Sequence, residues 1–472
     1  MSFSIKNICC IGAGYVGGPT MSVIADKCPH IQVNVVDVNM EKIKLWNSED
    51  LSKLPVYEPG LAEIVKNRRG KNLHFSREIN DNISKADMIF ISVNTPTKHN
   101  GIGAGKASNL KWIEESARQI SKYSRGNTIV VEKSTIPVRT ASTIKQILKK
   151  TNRNTNDKEF HVLSNPEFLA EGSAIKDLLN PDRILIGGDN AEAIKALSNI
   201  YLNWVNKDQI LTTNLWSSEL SKLIANAFLA QRVSSINTVS ALCEKTGADV
   251  DEVSIAVGMD KRIGEHFLKS GPGFGGSCFK KDILNLVYIS EYYGLKEVGE
   301  YWQKVLEINS WQQERIYKSI VDNLFNNVSG KKICILGFSF KANTNDTRES
   351  PAIEICKDLI NDGCNLSIYD PKVSKERIDE DLRNALNQKI TNKDKESKWE
   401  VSDNLYNSAM DSDALVILTE WEEFRNLNYE KLSEIMRPPS WIFDTRSIID
   451  NEKANNYGFN IWSIGKKNLL SD

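Results

Sequence analysis

The sequence contains no apolar run near the roughly 18 residues that a membrane-spanning helix requires. Its longest apolar stretches, such as 88–93, are strand-sized. It also lacks an excess of either charge: 60 Lys and Arg against 61 Asp and Glu leave a formal net charge of −1 over 472 residues. That balance excludes a strongly basic nucleic-acid binder and a highly acidic disordered tail as descriptions of the whole chain. Histidine is scarce and scattered (His30, His74, His99, His161 and His266), with no metal-ligand spacing, so neither zinc catalysis nor any other metal site is expected. The eight cysteines, at 9, 10, 28, 243, 278, 334, 356 and 364, include no C-x-x-C pair and are far too sparse for a disulfide scaffold. Reduced thiols in a cytoplasmic protein are the expectation. The first residues carry one Lys and run directly into a glycine motif, which reads as a first strand and not as a signal peptide.

What is present is an ordinary soluble composition, 26% charged and 40% hydrophobic, with enough apolar material for sizeable cores. At roughly 150 residues per domain the length suggests about three domains. Up to residue 214, short Val- and Ile-rich runs at 7–12, 32–37, 88–93, 128–132, 161–164 and 183–187 alternate with helical patterns. That alternation predicts a parallel, doubly wound sheet, with the polar stretch 149–158 as an exposed loop. From 217 to 245 the apolar residues Leu220, Leu223, Ile224, Ala227, Phe228, Val233, Ile236, Val239 and Leu242 keep a helical period without Pro or Gly. Further helices are expected at 249–257, 280–293 and 298–324. Strands return at 332–337, 365–369, 414–418 and 441–444, with 387–400 as a charged surface insertion. The order of strand, Gly turn, helix, strand and Asp at 6–37 recurs at 331–370. The expected fold is therefore α/β: two Rossmann-like, doubly wound parallel-sheet domains (1–214 and 326–472) joined by a helical domain (215–325) with a long central helix. Their cleft is the expected site.

Gly12-Ala13-Gly14-Tyr15-Val16-Gly17 matches G-x-G-x-x-G, a weak pattern alone. Here it follows a strand, opens a helix and precedes Asp37 at the end of the next strand. The glycines allow a tight turn and close approach to a pyrophosphate, and Asp37 suits an unphosphorylated ribose, favouring NAD over NADP. Cys278 closes Gly271-Pro272-Gly273-Phe274-Gly275-Gly276-Ser277 just before a helical pattern. Helix N–H groups favour a thiolate there, and Asp282, one turn on, can handle a proton. The other seven cysteines read as structural. Lys222 and Asn226 share one edge of the long helix; they are either solvated side chains or a cation and an amide aimed at an oxyanion. Glu167 and Glu171, in 165–172, place two carboxylates at the end of a strand, one of which can be only a helix cap.

These residues resemble the nucleotide-sugar 6-dehydrogenases. The resemblance rests on GAGYVG (12–17), VNTPT (93–97), EKST (132–135), NPEFLAEG (165–172), SELSKLIANAFLAQR (218–232), KRIGEHFLK (261–269), GFGGSCFKKD (273–282), GFSFK (337–341), NDTRESPA (345–352) and FDTR (443–446). It covers nearly the whole chain. It implies a four-electron oxidation of UDP-glucose to UDP-glucuronate, using two NAD and water, through a cysteine thiohemiacetal and thioester. By resemblance Cys278 is the nucleophile, and Lys222 and Asn226 stabilise the negative oxygen. Asp282 and Thr135 hold a water, and Glu171 assists thioester hydrolysis. The cofactor contacts implied are Gly12, Gly14, Tyr15, Val16, Gly17, Asp37, Lys42, Val93, Thr95, Ser134, Thr135, Glu171 and Arg348. The substrate contacts are Glu167, Phe168, Leu169, Glu171, Lys222, Asn226, Phe267, Leu268, Lys269, Phe274, Cys278, Phe279, Phe340, Lys341 and Arg446. Arg262 matches an arginine that reaches a neighbouring subunit's substrate, which implies a homo-oligomer, a dimer or a trimer of dimers. No nucleic-acid or membrane partner is implied.

The turn at Gly337 lacks the second and third glycines of the first motif, so by resemblance it holds UDP instead of a second NAD. Two departures stand out: 342–345 is less charged than in many relatives, and Lys42 stands where an Arg often meets the adenosine ribose. Three alternatives remain at this stage. A β-hydroxyacid dehydrogenase shares the Lys-x-x-x-Asn pair but performs a single oxidation and needs no Cys278. A sibling enzyme would oxidise GDP-mannose or UDP-N-acetylmannosamine by the same chemistry. A non-catalytic nucleotide-sugar binding protein would be expected to have lost part of the catalytic set.

Overall fold

The computed structural model describes residues 3–135, 137–150, 158–387 and 398–467. Most of the expected loop at 149–158 and most of the expected insertion at 387–400 lie outside the described residues. Packing groups the chain into two units, Met1–Ala225 with Leu284–Gly294, and Asn226–Ile283 with Leu295–Asp472.

The first unit is built on eight strands: β1 (Asn7–Ile11), β2 (Gln32–Val36), β3 (Leu73–Ser76), β4 (Met88–Ile91), β5 (Thr128–Glu132), β6 (Phe160–Ser164), β7 (Ile184–Gly187) and β8 (Ile210–Thr213). Their spatial order is β3-β2-β1-β4-β5-β6-β7-β8. The winding reverses between β1 and β4, which creates the crevice where such sheets take ligands. The first six strands run parallel, as expected. β7 meets β6 antiparallel through a single pair, Ser164 with Gly187, and then pairs in parallel with β8. β7 and β8 are thus a small parallel unit appended by one bridge.

Both faces of this sheet are buried, which explains its near-continuous apolar strands. Ile8 and Cys10 point into one core with Trp46 and Phe90, while Cys9 and Ile11 point into the other with Ile120 and Ile144. The adjacent cysteines therefore face opposite ways. β3 and β8 were not anticipated. Each is an edge strand of four residues, β3 alternating buried and half-buried and β8 largely open to solvent, so neither shows a continuous apolar run.

The second unit carries six strands: β9 (Lys332–Leu336), β10 (Asn365–Tyr369), β11 (Trp399–Val401), β12 (Ala414–Ile417), β13 (Trp441–Asp444) and β14 (Asn460–Ser463). All neighbours are parallel, in the order β11-β10-β9-β12-β13-β14, the same winding as the first six strands of the other sheet. β11 and β14, the two outermost, are again edge strands only partly buried, and periodicity does not reveal them. The long helix runs Leu215–Thr246, 32 residues, or about 48 Å at the usual rise. The helices Val250–Gly258, Phe279–Tyr292 and Lys296–Asn323 fall within two residues of their expected limits. Among the described residues, no helix is long and apolar enough to cross a membrane.

The internal repeat extends to individual hydrogen bonds. Gly12 N donates to Val36 O at 2.7 Å and Ala13 N to Asp37 Oδ2 at 2.9 Å. In the second unit Gly337 N donates to Tyr369 O at 2.8 Å, and Phe338 N and Ser339 N donate to Asp370 Oδ2 at 2.7 and 3.0 Å. Asp370 also accepts from Lys372 N and Val373 N through Oδ1. It is therefore committed to its own turns. Asp370→Ala should leave several buried N–H groups unsatisfied and cost about 2–4 kcal/mol. The check is urea unfolding followed by tryptophan fluorescence; an unchanged midpoint would contradict this role.

Candidate active site

In the first unit the β1 turn enters the helix Gly17–Lys27 without a side-chain cap and without an acid in its first turn. Its N–H groups and dipole are presented to an anion. The three glycines divide by role. A Cβ on Gly12 would lie 2.1 Å from Ser92 O, and one on Gly17 would lie 2.1 Å from Gly12 O, so both positions are fixed by close backbone approach. A Cβ on Gly14 would meet nothing within 4 Å. Gly14 thus faces open space, which is the geometry that lets a pyrophosphate approach the main chain. Trp46 Nε1 braces the turn by donating to Ala13 O at 2.9 Å.

Asp37 Oδ2 accepts from Ala13 N and from Lys42 Nζ at 3.0 Å, and Oδ1 accepts from Asn39 N at 2.9 Å. Burial raises its pKa, but these donors outweigh burial and hold it below its ordinary value. Lys42 therefore engages the carboxylate expected to read a ribose. On the neighbouring loops Ser134 Oγ donates to Val93 O at 2.7 Å and Thr95 Oγ1 to Thr135 O at 2.8 Å, which ties the segments after β4 and β5 together. Glycine turn, Asp37, Val93, Thr95, Ser134 and Thr135 all lie at the C-terminal ends of β1, β2, β4 and β5.

The two carboxylates of 165–172 separate. Glu167 pairs with buried Lys133 at 2.8 Å and accepts from Phe168 N at 2.9 Å. Burial pulls the Lys133 ammonium down, but the charge of Glu167 more than compensates and its pKa is raised. Glu171 is half-buried, and the chain after it is held by Glu58, which accepts from Gly172 N at 2.6 Å and Ala174 N at 2.9 Å. Tyr15 OH also accepts from Gly172 N, at 3.3 Å. Leu169 packs on the core of this sheet. Lys222 is 8% exposed, and its Nζ lies 5.2 Å from the Phe168 ring. Lys133 and Glu58 were not singled out from sequence. Lys133 had a signal, a charged residue directly after an apolar strand; Glu58 had none.

In the second unit Cys278 is the exposed thiol and the other seven cysteines are buried. Burial pushes Cys9, Cys334 and Cys364 up to about 12 and Cys28 to about 11. Such thiols are inert near neutral pH. Cys278 sits immediately before the helix Phe279–Tyr292, with Ser277 Oγ 3.6 Å from its sulfur. Asp282 N donates to Cys278 O at 2.9 Å, and Asn226 Nδ2 donates to Asp282 Oδ2 at 2.6 Å. Asn226 and Asp282 are 5% and 1% exposed. Phe274 and Phe267 pack edge-on against Phe279 at 5.7 and 6.3 Å, so the three phenylalanines form one row beside the thiol. Leu268 is buried between exposed Phe267 and Lys269.

The glycine loop before Cys278 is pinned by amides that sequence reading missed. Asn237 Oδ1 accepts from Gly271 N at 2.9 Å, Gln312 Nε2 donates to Gly271 O at 2.8 Å, and Asn309 bonds both Phe274 N and Phe274 O. These are helix residues at no motif spacing, buried because the loop satisfies them. At the C-terminal end of the second sheet Arg446 donates to Leu418 O and Phe340 O and pairs with Glu420 at 2.9 Å. Lys341 Nζ lies 5.6 Å from the Phe340 ring. Arg348, exposed, pairs with Asp346, and its carbonyl accepts from Gly276 N at 2.8 Å. Arg262 stands apart: 89% of its side chain is exposed, folded onto Asp260 at 2.6 Å. Among the described residues no group of three or more His, Cys, Asp or Glu is placed to hold a metal ion.

Residues 6–205 match the NAD binding domain of the UDP-glucose/GDP-mannose dehydrogenase family, 216–311 its central domain and 334–451 its UDP binding domain. The chain is 53% identical over 470 residues to UDP-glucose 6-dehydrogenase 1 of Glycine max and to UDP-glucose 6-dehydrogenase 2 of Arabidopsis thaliana, covering 97% of each chain in both comparisons. It is also similar to the solved structure of a UDP-glucose dehydrogenase from the hyperthermophilic archaeon Pyrobaculum islandicum. There the TM-score is 0.83 at 28% identity, covering 98% of both chains.

The open space over Gly14 separates folding from cofactor binding. Gly14→Ala should keep the wild-type thermal midpoint and weaken NAD binding about tenfold or more. Gly17→Ala should lower the midpoint as well, since its Cβ has no room. Calorimetric titration and thermal unfolding of the two variants check this; equal effects on stability would refute the division.

Proposed function

This chain belongs to the UDP-glucose/GDP-mannose dehydrogenase family, and from that premise we propose that it oxidises the C6 alcohol of UDP-glucose to the carboxylate of UDP-glucuronate. The observation that carries the proposal is Cys278: one exposed thiol among eight, set at a helix start beside the Asn226–Asp282 pair. Bound NAD supplies the hydride acceptor for both oxidations. Gly12, Gly14, Tyr15, Val16 and Gly17 hold its pyrophosphate side, Asp37 with Lys42 its ribose, and Val93, Thr95, Ser134, Thr135, Glu171 and Arg348 the remainder.

In the first oxidation the substrate alcohol loses its proton and a hydride to become a bound aldehyde. Lys222 and Asn226 stabilise the negative oxygen, and Asp282 with Thr135 holds the water that carries the proton. The Cys278 thiolate then adds to the aldehyde, and the thiohemiacetal loses the second hydride to become a thioester. Water, assisted by Glu171, releases the acid and regenerates the thiol. Covalent capture keeps the aldehyde from leaving between the two oxidations.

The UDP-sugar is held by Glu167, Phe168, Leu169, the aromatic row at 267–279 and the cations Lys269, Lys341 and Arg446, which suit a diphosphate. Asp370 is spent on its own turn, which supports a UDP role for the second sheet instead of a second dinucleotide. The division at 1–214, 215–325 and 326–472 assigns cofactor, core and UDP-sugar roles, supported by the limits of the three matched family domains. Exposed Phe228, Leu242, Ile255, Met259 and Ile263 in the second unit, with exposed Arg262 among them in sequence, support a homo-oligomer whose Arg262 reaches a neighbouring subunit's site. The reduced, buried thiols support a cytoplasmic location.

Wild type should yield two NADH per UDP-glucose, and Cys278→Ala should lose net turnover. A yield of one, or an unimpaired alanine variant, sinks the thioester route. GDP-mannose and UDP-N-acetylmannosamine tested beside UDP-glucose, with products weighed by mass spectrometry, decide the sugar; faster turnover of either would reassign the substrate.

A further inference from the structure

Two carboxyl groups in the first unit take no part in the steps above. Glu132 ends β5 at 1% exposure, and Glu219, one turn before Lys222 on the long helix, is 2% exposed. Glu219 accepts from Arg139 N at 2.6 Å and from Ala141 N at 2.7 Å. Glu132 also lies within hydrogen-bonding reach of it, and the Glu132 oxygens receive no N–H or O–H donor from the described residues. Two ionised carboxylates offer only acceptors, so a hydrogen bond between them requires one proton. Glu219 already accepts two backbone N–H groups, so Glu132 is the acid.

Among the described residues, no cation pairs with Glu132. In register beside it on β4 and β6 stand Ile91 and Ser164, and Ser164 Oγ is engaged with Ser218 Oγ. Lys133, next in the chain, is committed to Glu167. From the helix Thr140–Lys150 the charge facing Glu219 is Lys145, itself paired with Asp189. The Arg139 guanidinium lies over the Trp216 and Tyr293 rings. Burial first, and the charge of Glu219 second, hold the Glu132 carboxyl well above the usual carboxylate range.

Ser134 and Thr135, directly after Glu132 and Lys133, are tied to Val93 and Thr95, and Glu219 holds the backbone N–H groups of Arg139 and Ala141. We propose that Glu219 is a positioning residue of the cofactor site, which, hydrogen-bonded to Glu132, tethers the Ser134–Thr135 segment to the helix that carries Lys222. This rests on the reading of 12–17, 134 and 135 as NAD contacts. The linkage has a definite sign. The tether's contribution is fully present below the ordinary carboxylate range and is lost as pH rises through the raised value of Glu132. There the proton passes to solvent, and two buried carboxylates repel.

The test is NAD binding to the full chain by calorimetry, with KM and kcat followed from about pH 6 to about pH 10, for wild type, Glu219→Gln and Glu132→Gln. Glu219→Gln, which cannot accept both N–H groups, should raise KM for NAD about tenfold or more while KM for UDP-glucose moves less than about twofold. Glu132→Gln keeps an N–H donor toward Glu219 but does not titrate, so it should flatten the alkaline weakening of NAD binding seen in wild type. An infrared band of a protonated carboxyl should be present in wild type at neutral pH and missing from Glu132→Gln. Should Glu219→Gln fail to fold, the pH profile and the band of Glu132→Gln decide. A wild-type chain that does not bind NAD overturns the cofactor reading. A chain that binds NAD, but whose Glu132→Gln profile superimposes on wild type or lacks the band difference, overturns this proposal.

Discussion

Both units depend on places where one main chain passes so close to another that a side chain has no room. In the first, Gly12 lies against Ser92 O; in the second, Gly275 would place a Cβ 2.5 Å from Glu349 O, and Gly337 one 2.8 Å from Thr419 N. Each contact locks a functional loop to the loop beside it: the β1 turn to the one after β4, the Cys278 loop to the 346–350 turn, and the β9 turn to the one after β12. Close backbone packing of this kind has few alternative solutions, so it fixes loop geometry more tightly than side-chain contacts do. What the locked loops present is an uncapped helix N-terminus in one case and an exposed thiol in the other.

Hydrogen-bonded polar side chains complete what the glycines begin. Asp37 and Asp370 perform the same structural service, accepting the backbone N–H groups of the glycine turn, and then diverge. Asp37 remains at a rim with Lys42, whereas Asp370 is enclosed by Ser339, Lys372, Val373 and Trp421. The acid after the second strand is thus half-buried beside a lysine in one sheet and enclosed in the other. The missing glycines at the second turn are the sequence trace of that difference.

Much of this was legible in the sequence because apolar periodicity and glycine spacing are local signals. The central strands, the 32-residue helix, Asp37 and the Cys278 loop all announce themselves within a window of a few residues. The edge strands β3, β8, β11 and β14 do not, since half-exposed segments of three or four residues carry neither period. The supports of the site are hidden for a different reason. Asn237, Asn309, Gln312, Glu58 and Glu219 act on backbone groups between 34 and 116 residues away. A polar residue in a helix looks solvent-facing until the fold shows what it binds.

The near-zero net charge then has a structural meaning. With no global field to attract an anionic ligand, affinity for one has to come from local groups, such as the uncapped start of the helix Gly17–Lys27 and cations already paired with acids. Lys42 with Asp37, Lys133 with Glu167 and Arg446 with Glu420 are all held by carboxylates before any ligand arrives. Prior pairing weakens each cation's pull on any further anion but fixes its position, so less side-chain freedom remains to be lost on binding. The buried pair Glu132 and Glu219 extends the same logic to a site where, among the described residues, no cation forms an ion pair with either acid. There a shared proton replaces the counter-ion, and the cost of burying two acids is accepted where a loop near the cofactor must be held in one place.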